Sequence, residues 1–400
     1  MKELNKGQKN IVDQALEFLK DPTRQVFEFS GDPGTGKSFT IEEIVRQSGI
    51  DPDNIAPMAY TGQASIVMRQ NGLLNAKTIH SWKYEYIEDY VYDIMGNQVL
   101  DPIYGIPVTK STLVPRDLSD IDLIIVDEGY MVPLSMKSDL LADGKKIIVS
   151  GDRNQLDPIN DKPAFLTDKN IPRLTEVMRQ KENSGIIKVS RMALAGMNIK
   201  PGIYGDDCLV IYEDELDDDS ILDSDILLCG RNSTRDKFNK HIRRNLLGIN
   251  TDLPCMNEKI ICRKNNWNIE VNGINLTNGL IGTVITPPSI DTFDGETFNL
   301  GFVPNMFPFS FNDLKLSYKY FTADHKEKQL LKNSRYDVGE KFDFAYCITT
   351  HLSQGSQFNN VIYFEEYVHR DVDHRKLNYV GSTRAKEKLI YVKKYTKRYY

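Results

Sequence analysis

Residues 25–38 read Gln25-Val-Phe-Glu-Phe-Ser-Gly31-Asp-Pro-Gly-Thr-Gly-Lys37-Ser38. The stretch 25–29 reads as a strand by its β-favouring Val and Phe residues. Gly31-x-x-x-x-Gly36-Lys37-Ser38 then has the spacing of a phosphate loop, and 37–47 continues as a helix. Order matters here. A loop that leaves a strand and opens a helix aims backbone amides and a helix N-terminus at one point, which suits phosphate groups. On this reading Gly31, Pro33, Gly34, Thr35, Gly36, Lys37, Ser38 and Phe39 bind a nucleotide. Lys37 reaches its β and γ phosphates, and Ser38 ligates Mg²⁺.

Outward from the loop, the alternation of strands and helices continues. A helix at 8–20 precedes it, a strand at 54–59 and a short helix at 63–69 follow, and 121–126 is an unbroken apolar run. A second such run, at 146–150, ends in Gly151-Asp152. Continuous apolar strands between helices predict a doubly wound parallel sheet with its chemistry at the carboxyl ends. The 121–126 run ends in Asp127-Glu128, a Walker B pair. Asp127 would hold Mg²⁺ largely through water, and Glu128 would take a proton from the attacking water. Gln155, after the neighbouring strand, would sense the γ-phosphate.

The pattern breaks twice. Residues 83–118 are rich in Tyr, Pro and Asp (Tyr84, Tyr86, Tyr90, Tyr92, Tyr104), and 264–340 turns to β-like segments punctuated by Asn-Gly and Pro-Pro. Between and after them the α/β pattern returns, with a helix at 183–195, strand 226–229, helix 234–247 and a final strand at 388–392. The expected organisation is one α/β domain over 1–82 and 119–180 with an insertion at 83–118. A second covers 181–263 and 341–400, with an insertion at 264–340.

Composition narrows the class. With 400 residues, 40% hydrophobic and 26% charged, the chain is a multidomain globular protein. No run of eighteen apolar residues suggests a membrane span, and the polar opening Met-Lys-Glu-Leu-Asn-Lys does not read as a signal peptide. Five scattered cysteines without Cys-x-x-Cys point to reduced thiols and a cytoplasmic location. The net charge of −6 argues against a uniformly basic nucleic-acid binder. Yet 206–225 alone holds ten acids and no base, leaving +4 on the rest, and the last twenty residues carry seven bases and one acid. The acidic tract reads as a solvated face.

Further segments fall in a fixed order: Asn5-Lys-Gly-Gln8, Thr61-Gly-Gln-Ala-Ser65, Thr78-Ile-His-Ser-Trp82, Gly151-Asp-Arg-Asn-Gln155, Leu174-Thr-Glu-Val-Met-Arg179-Gln180, Thr350-His-Leu-Ser-Gln-Gly355 and Tyr379-Val-Gly-Ser-Thr-Arg384-Ala-Lys386. Together with the phosphate loop and Asp127-Glu128, this set resembles the superfamily 1 DNA helicases, most nearly the RecD and phage Dda branch. The resemblance implies two RecA-like P-loop motor domains with a small β-hairpin insertion and an SH3-like β insertion, using ATP and Mg²⁺. It implies Gln8 on the adenine edge, Gly355 beside the nucleotide, and Arg179 and Arg384 at the γ-phosphate, with Lys37, Asp127, Glu128 and Gln155 completing the catalytic set. Thr61, Gly62, Gln63, Thr78, His80, Trp82, Thr350 and His351 would contact single-stranded DNA, Trp82 by stacking on bases or else as a core residue.

The branch further implies 5′ to 3′ movement, single-stranded and forked duplex DNA as partners, activity as a monomer, and a bacterial or phage-infected cell with replication or recombination partners. The Tyr-rich insertion lies where the family carries a strand-separating hairpin, so an aromatic tip is one reading and a hairpin packed on the motor domain the other. Gly129-Tyr130 departs from the usual Asp-Glu-Ala/Val-Ser, which puts coupling, not hydrolysis, in question. The rivals are a single-strand translocase that displaces proteins without unwinding, a scaffold with a degenerate ATPase, and an RNA substrate. No acidic constellation suggests a nuclease.

Overall fold

The computed structural model describes residues 3–102, 105, 107–158, 160–176, 178, 184–288, 294–305, 307–332, 334, 338–369 and 372–394. Arg179 and Tyr104 lie outside the described residues, as does the side chain of Tyr86.

The helix Lys6–Lys20 starts where Asn5 accepts from the Gln8 amide and Gln8 reaches back to the Asn5 amide, a reciprocal cap. Its apolar face, with Ile11, Val12, Ala15 and Phe18, covers one side of a six-stranded parallel sheet. Strand order across that sheet is Lys77–Thr78, Ile55–Ala59, Leu123–Asp127, Lys146–Gly151, Val26–Gly31 and Arg173–Leu174. Leu123 and Ile125 point into the core beneath that helix, Ile124 and Val126 into the core on the opposite face. Burial on both faces is why this strand is apolar throughout. All its neighbours run parallel, so Gly31, Asp127 and Gly151 finish on the same edge.

A second six-stranded sheet has the order Cys347–Thr349, Ile226–Cys229, Phe358–Phe364, Ala385–Lys393, Cys208–Tyr212 and Gly202–Tyr204, parallel except for the last strand. Each sheet is the core of a RecA-like α/β domain, as expected. The helix His374–Ser382 precedes Ala385–Lys393 and carries side chains onto the first domain.

The segment 83–118 does form a hairpin, Tyr84–Tyr90 with Thr109–Pro115 in continuous antiparallel register. Lys83 pairs with Asp143 and the Tyr84 hydroxyl bonds Asp139, fixing the hairpin's base to the first domain. Among the described residues the turn at 93–97 carries no aromatic side chain. A tight Asp93–Asn97 turn, with Gly96 N donating to Asp93 O at 3.0 Å, holds Ile94 fully and Met95 largely in solvent. Tyr90 and Tyr92 lie exposed on the flanks.

The third sheet is antiparallel, in the order Phe311–Ser317, Thr297–Pro304, Ile281–Thr286, Lys259–Cys262 and Phe342–Phe344. It thus reaches beyond 264–340 on both sides. Lys259–Cys262 and Phe342–Phe344 are apolar like the motor-domain strands, but they bury Ile260, Cys262 and Phe342 against Phe298, Phe302 and Phe311. The acidic tract is more than a solvated face. Asp207 accepts from the Ser184 hydroxyl and the Gly185 amide at the start of helix Gly185–Leu194. Asp225 accepts from the Asn359 and Asn360 amides.

Candidate nucleotide cleft and strand groove

The phosphate loop opens the helix Lys37–Ser48 at the strand edge. Lys37 Nζ donates to Gly31 O at 3.0 Å, folding its ammonium back over the loop. Thr35 is buried, its hydroxyl on Asp32 O at 2.8 Å. Gln8 is buried as well, with Oε1 accepting from Asn5 N at 3.1 Å and Nε2 donating to Thr35 O at 3.3 Å. It braces the loop from behind, and both ends of its amide already have partners.

Asp127 ends its strand buried, and the Ser150 hydroxyl and the Glu128 amide both donate to its Oδ1. Oδ2 has no protein partner among the described residues. Burial, then the charge of Glu128, raises the Asp127 pKa, with Ser150 and Lys37 opposing. A carboxylate held in this way gains from a cation beside it. With the Ser38 hydroxyl in the same cleft, the donors suit a divalent ion that keeps most of its water and its phosphate ligands. Among the described residues no cluster of three or more acids, His or Cys forms a protein-only metal cage.

Glu128 takes a left-handed conformation, φ 52°, uncommon for a side chain with a Cβ and typical of functional sites. Its Oε2 accepts from Gln155 Nε2 at 2.7 Å. Gly129 follows under constraint: a Cβ there would meet Val149 Cγ1 at 2.2 Å, so only glycine lets this turn lie against the next strand.

Arg384 enters from the second domain. It is 2% exposed and, among the described residues, its side chain bonds to Val380 O, Ser356 O and the Thr383 hydroxyl, none of them a carboxylate. Burial pulls its pKa below the usual guanidinium range, with Glu128 and Asp152 pulling back. A buried cation without an ionic partner is poised for an anionic ligand. Gln8, Pro33, Gly34, Gly36, Lys37, Ser38, Phe39, Asp127, Glu128, Gln155, Gly355 and Arg384 all line one cavity of about 560 Å³, large enough for a nucleotide. Gly31 and Thr35 lie behind its wall.

A groove of similar volume lies across the molecule, walled by Thr61, Gln63, Arg263, Asn278, His351 and Gln354 among others. Gln63 lines both spaces. Gly355 closes the gap between them, since a Cβ on it would meet Thr61 Oγ1 at 2.7 Å. Buried polar atoms without hydrogen bonds gather here: Gln63 Oε1, Gln354 Nε2, Asn278 Oδ1, and Nε and Nη1 of Arg263. Groups left this way call for a ligand or water. The motifs pointed to Thr61, Gln63 and His351; Asn278 reads from the sequence only as the opening of the β insertion, and Arg263 belongs to no motif.

The other residues expected at the strand have partners within the protein. Thr350 is fully buried and its hydroxyl is committed to Cys229 O at 3.1 Å. Thr78 caps the helix Ile79–Lys83, accepting from the Ser81 amide. Thr61 also caps a helix, taking Ala64 N at 3.2 Å. Gly62 abuts Thr277, whose Oγ1 lies 1.8 Å from where a Cβ would stand, so it lets the third sheet approach. His80 stacks on Trp267 at 5.8 Å between ring centroids. Trp82 is partly buried against the first domain's core, with its indole N–H on Pro57 O at 2.9 Å.

A family model described as an AAA domain matches residues 3–203, half of the chain. The chain belongs to the AAA domain family. A second model, the UvrD-like helicase C-terminal domain, matches residues 344–392. Together they bear out the superfamily 1 resemblance carried by the motifs. The fold is similar to that of Pif1 helicase from Candida albicans, at TM-score 0.54 and 16% identity, covering 98% of this chain and 94% of that one. It is also similar to Bacteroides Pif1 bound to single-stranded DNA, at TM-score 0.55 and 16% identity, covering 98% and 92%. An uncharacterized protein of Methanocaldococcus jannaschii is 28% identical over 187 residues, 41% of this chain. The chain spans only 15% and 43% of the curated relatives it matches. Among the described residues no helix is long and apolar enough to cross a membrane.

Proposed function

We propose that this AAA-family chain is an ATP-dependent DNA helicase or translocase that moves on single-stranded DNA. The observation that carries this is one cleft shared by two domains. Lys37, Asp127, Glu128 and Gln155 come from the first sheet's edge and Arg384 from the second domain. The loop at 31–38 would cradle the phosphates of ATP, with Lys37 turning from Gly31 O to meet them. Glu128, held by Gln155, would accept the proton of the attacking water. Arg384 would neutralise the charge that develops on the transferring phosphoryl group, a contribution of about 10³ to 10⁵ in rate. Mg²⁺, held by Ser38 and Asp127 largely through water, would supply further charge neutralisation.

Because Arg384 belongs to the far domain, hydrolysis requires closure of the cleft. Gln63 and the 350–355 loop would carry that closure to the groove, where Arg263, Asn278 and His351 would hold a strand by its phosphates without reading sequence. The similar Bacteroides Pif1 structure, of a protein bound to single-stranded DNA, supports this assignment. We assign 5′ to 3′ polarity, action as a monomer and a cytoplasmic setting, in a bacterial or phage-infected cell, on the branch resemblance. Forked substrates test the polarity: unwinding with a 5′ tail and not a 3′ tail is expected, and the reverse preference would refute it.

A further inference from the structure

Two residues of the helix His374–Ser382 reach across to the first domain. Tyr379 donates from its hydroxyl to Asp152 Oδ2 at 2.7 Å, both groups buried. One turn earlier, Lys376 Nζ donates to Asp157 Oδ1 and to the Tyr130 hydroxyl, each at 2.7 Å, and lies 4.7 Å from the centre of the Tyr130 ring. Tyr130 itself donates to the same Asp157 Oδ1 at 2.7 Å. Three groups from three segments thus meet at one point, with the Lys376 side chain 19% exposed.

The chain connectivity gives this cluster its meaning. Tyr130 stands two residues after Glu128, joined through Gly129, which is wedged against Val149. Asp157 stands two residues after Gln155. Gln155 Nε2 bonds Glu128 Oε2. A closed ring therefore runs from Glu128 through Tyr130, the ammonium of Lys376, Asp157 and Gln155 back to Glu128. The only member from the second domain is Lys376. Glu128 also occupies a left-handed conformation, which surrounding contacts must enforce.

We propose that Lys376 is a positioning residue that sets the Glu128–Gln155 pair when the two domains dock, so that hydrolysis and domain movement stay in step. Tyr130 and Asp157 are its receivers, which gives the unusual Gly129-Tyr130 pair a task. Lys376 touches neither nucleotide nor strand on this account. The inference rests on the motor reading above.

The test is the amount of ATP hydrolysed per nucleotide translocated on single-stranded DNA, measured for the full chain, Lys376→Met, Lys376→Arg and Tyr130→Phe. This ratio is insensitive to the fraction of folded protein, which a merely structural role would change. Lys376→Met and Tyr130→Phe are expected to raise ATP per nucleotide about twofold or more, the range seen when a coupling contact is lost, and Lys376→Arg to restore most of it. If Lys376→Met does not fold, Tyr130→Phe, which removes a single oxygen, decides alone. An unchanged ratio in Tyr130→Phe alongside a translocating wild type would overturn the proposal while leaving the motor reading intact. A wild type whose ATPase ignores single strands would overturn the motor reading itself, and this inference with it.

Discussion

Gln155 Nε2 donates to Glu128 Oε2 at 2.7 Å, tying the loop after Lys146–Gly151 to the residue after Leu123–Asp127. This bond aims a carboxylate that has no other side-chain partner shown among the described residues. Replacing Glu128 with Gln keeps the shape and removes the base. The expected loss in ATPase kcat is about 10² to 10⁴, with nucleotide affinity retained in a fluorescent-nucleotide titration. Gln155→Ala should lower kcat less.

Arg384→Ala should lower kcat by about 10³ or more while leaving nucleotide binding nearly intact. Arg384→Lys should rescue little, because the buried site fixes a planar guanidinium through Val380 O and Ser356 O. Steady-state kinetics alongside nucleotide titration separate the two effects. Equal losses in binding and turnover would place Arg384 in ground-state binding instead.

Much of this site was legible because its residues are neighbours in sequence. The phosphate loop, Asp127-Glu128 and Gln155 each follow a strand legible from its β-favouring residues, and parallel pairing brings those ends together. What the sequence hid are partners far apart in the chain. Lys376 lies 246 residues from Tyr130, and nothing local to either marks the bond. The hydroxyl of Thr350 reads as a free binding group, yet the distant Cys229 carbonyl claims it. Lys259–Cys262 has the same apolar run as a motor-domain strand, so only its pairing with Ile281–Thr286 reveals its sheet.

Gly129→Ala forces a Cβ to 2.2 Å from Val149 Cγ1. Overpacking of this kind destabilises by about 1–3 kcal/mol, and here it should also displace Glu128. Chemical denaturation should show the loss of stability, and ATPase activity should fall by more than the unfolded fraction explains.

Burial pulls the His351 pKa below its ordinary 6.5. The unfolded chain therefore binds this proton more readily than the folded one. The His351 contribution to stability is complete above 6.5 and is lost as pH falls through that value toward the lower folded one. Thermal melts from pH 8 to 5 should decline less steeply for His351→Gln than for the native chain.

Substitutions at the hairpin turn would distinguish unwinding from translocation. Ile94 and Met95 stand exposed on an anchored hairpin, an expensive place for two aliphatic side chains unless they meet a partner. Ile94→Ser with Met95→Ser should reduce unwinding of a forked duplex while sparing single-strand-stimulated ATPase. Unchanged unwinding would show that the tip does not separate the strands, whereas a native chain that moves on single strands without opening the fork would favour the translocase that displaces proteins.

The central claim is a cleft between two domains whose hydrolysis is governed by a strand in the adjoining groove. It is tested most directly by the ATPase rate of the native chain with and without single-stranded DNA, beside Lys37→Ala. The prediction is strong stimulation by the strand in the native chain and almost no turnover in Lys37→Ala under either condition. A native rate that is the same with and without single-stranded DNA or RNA would contradict it.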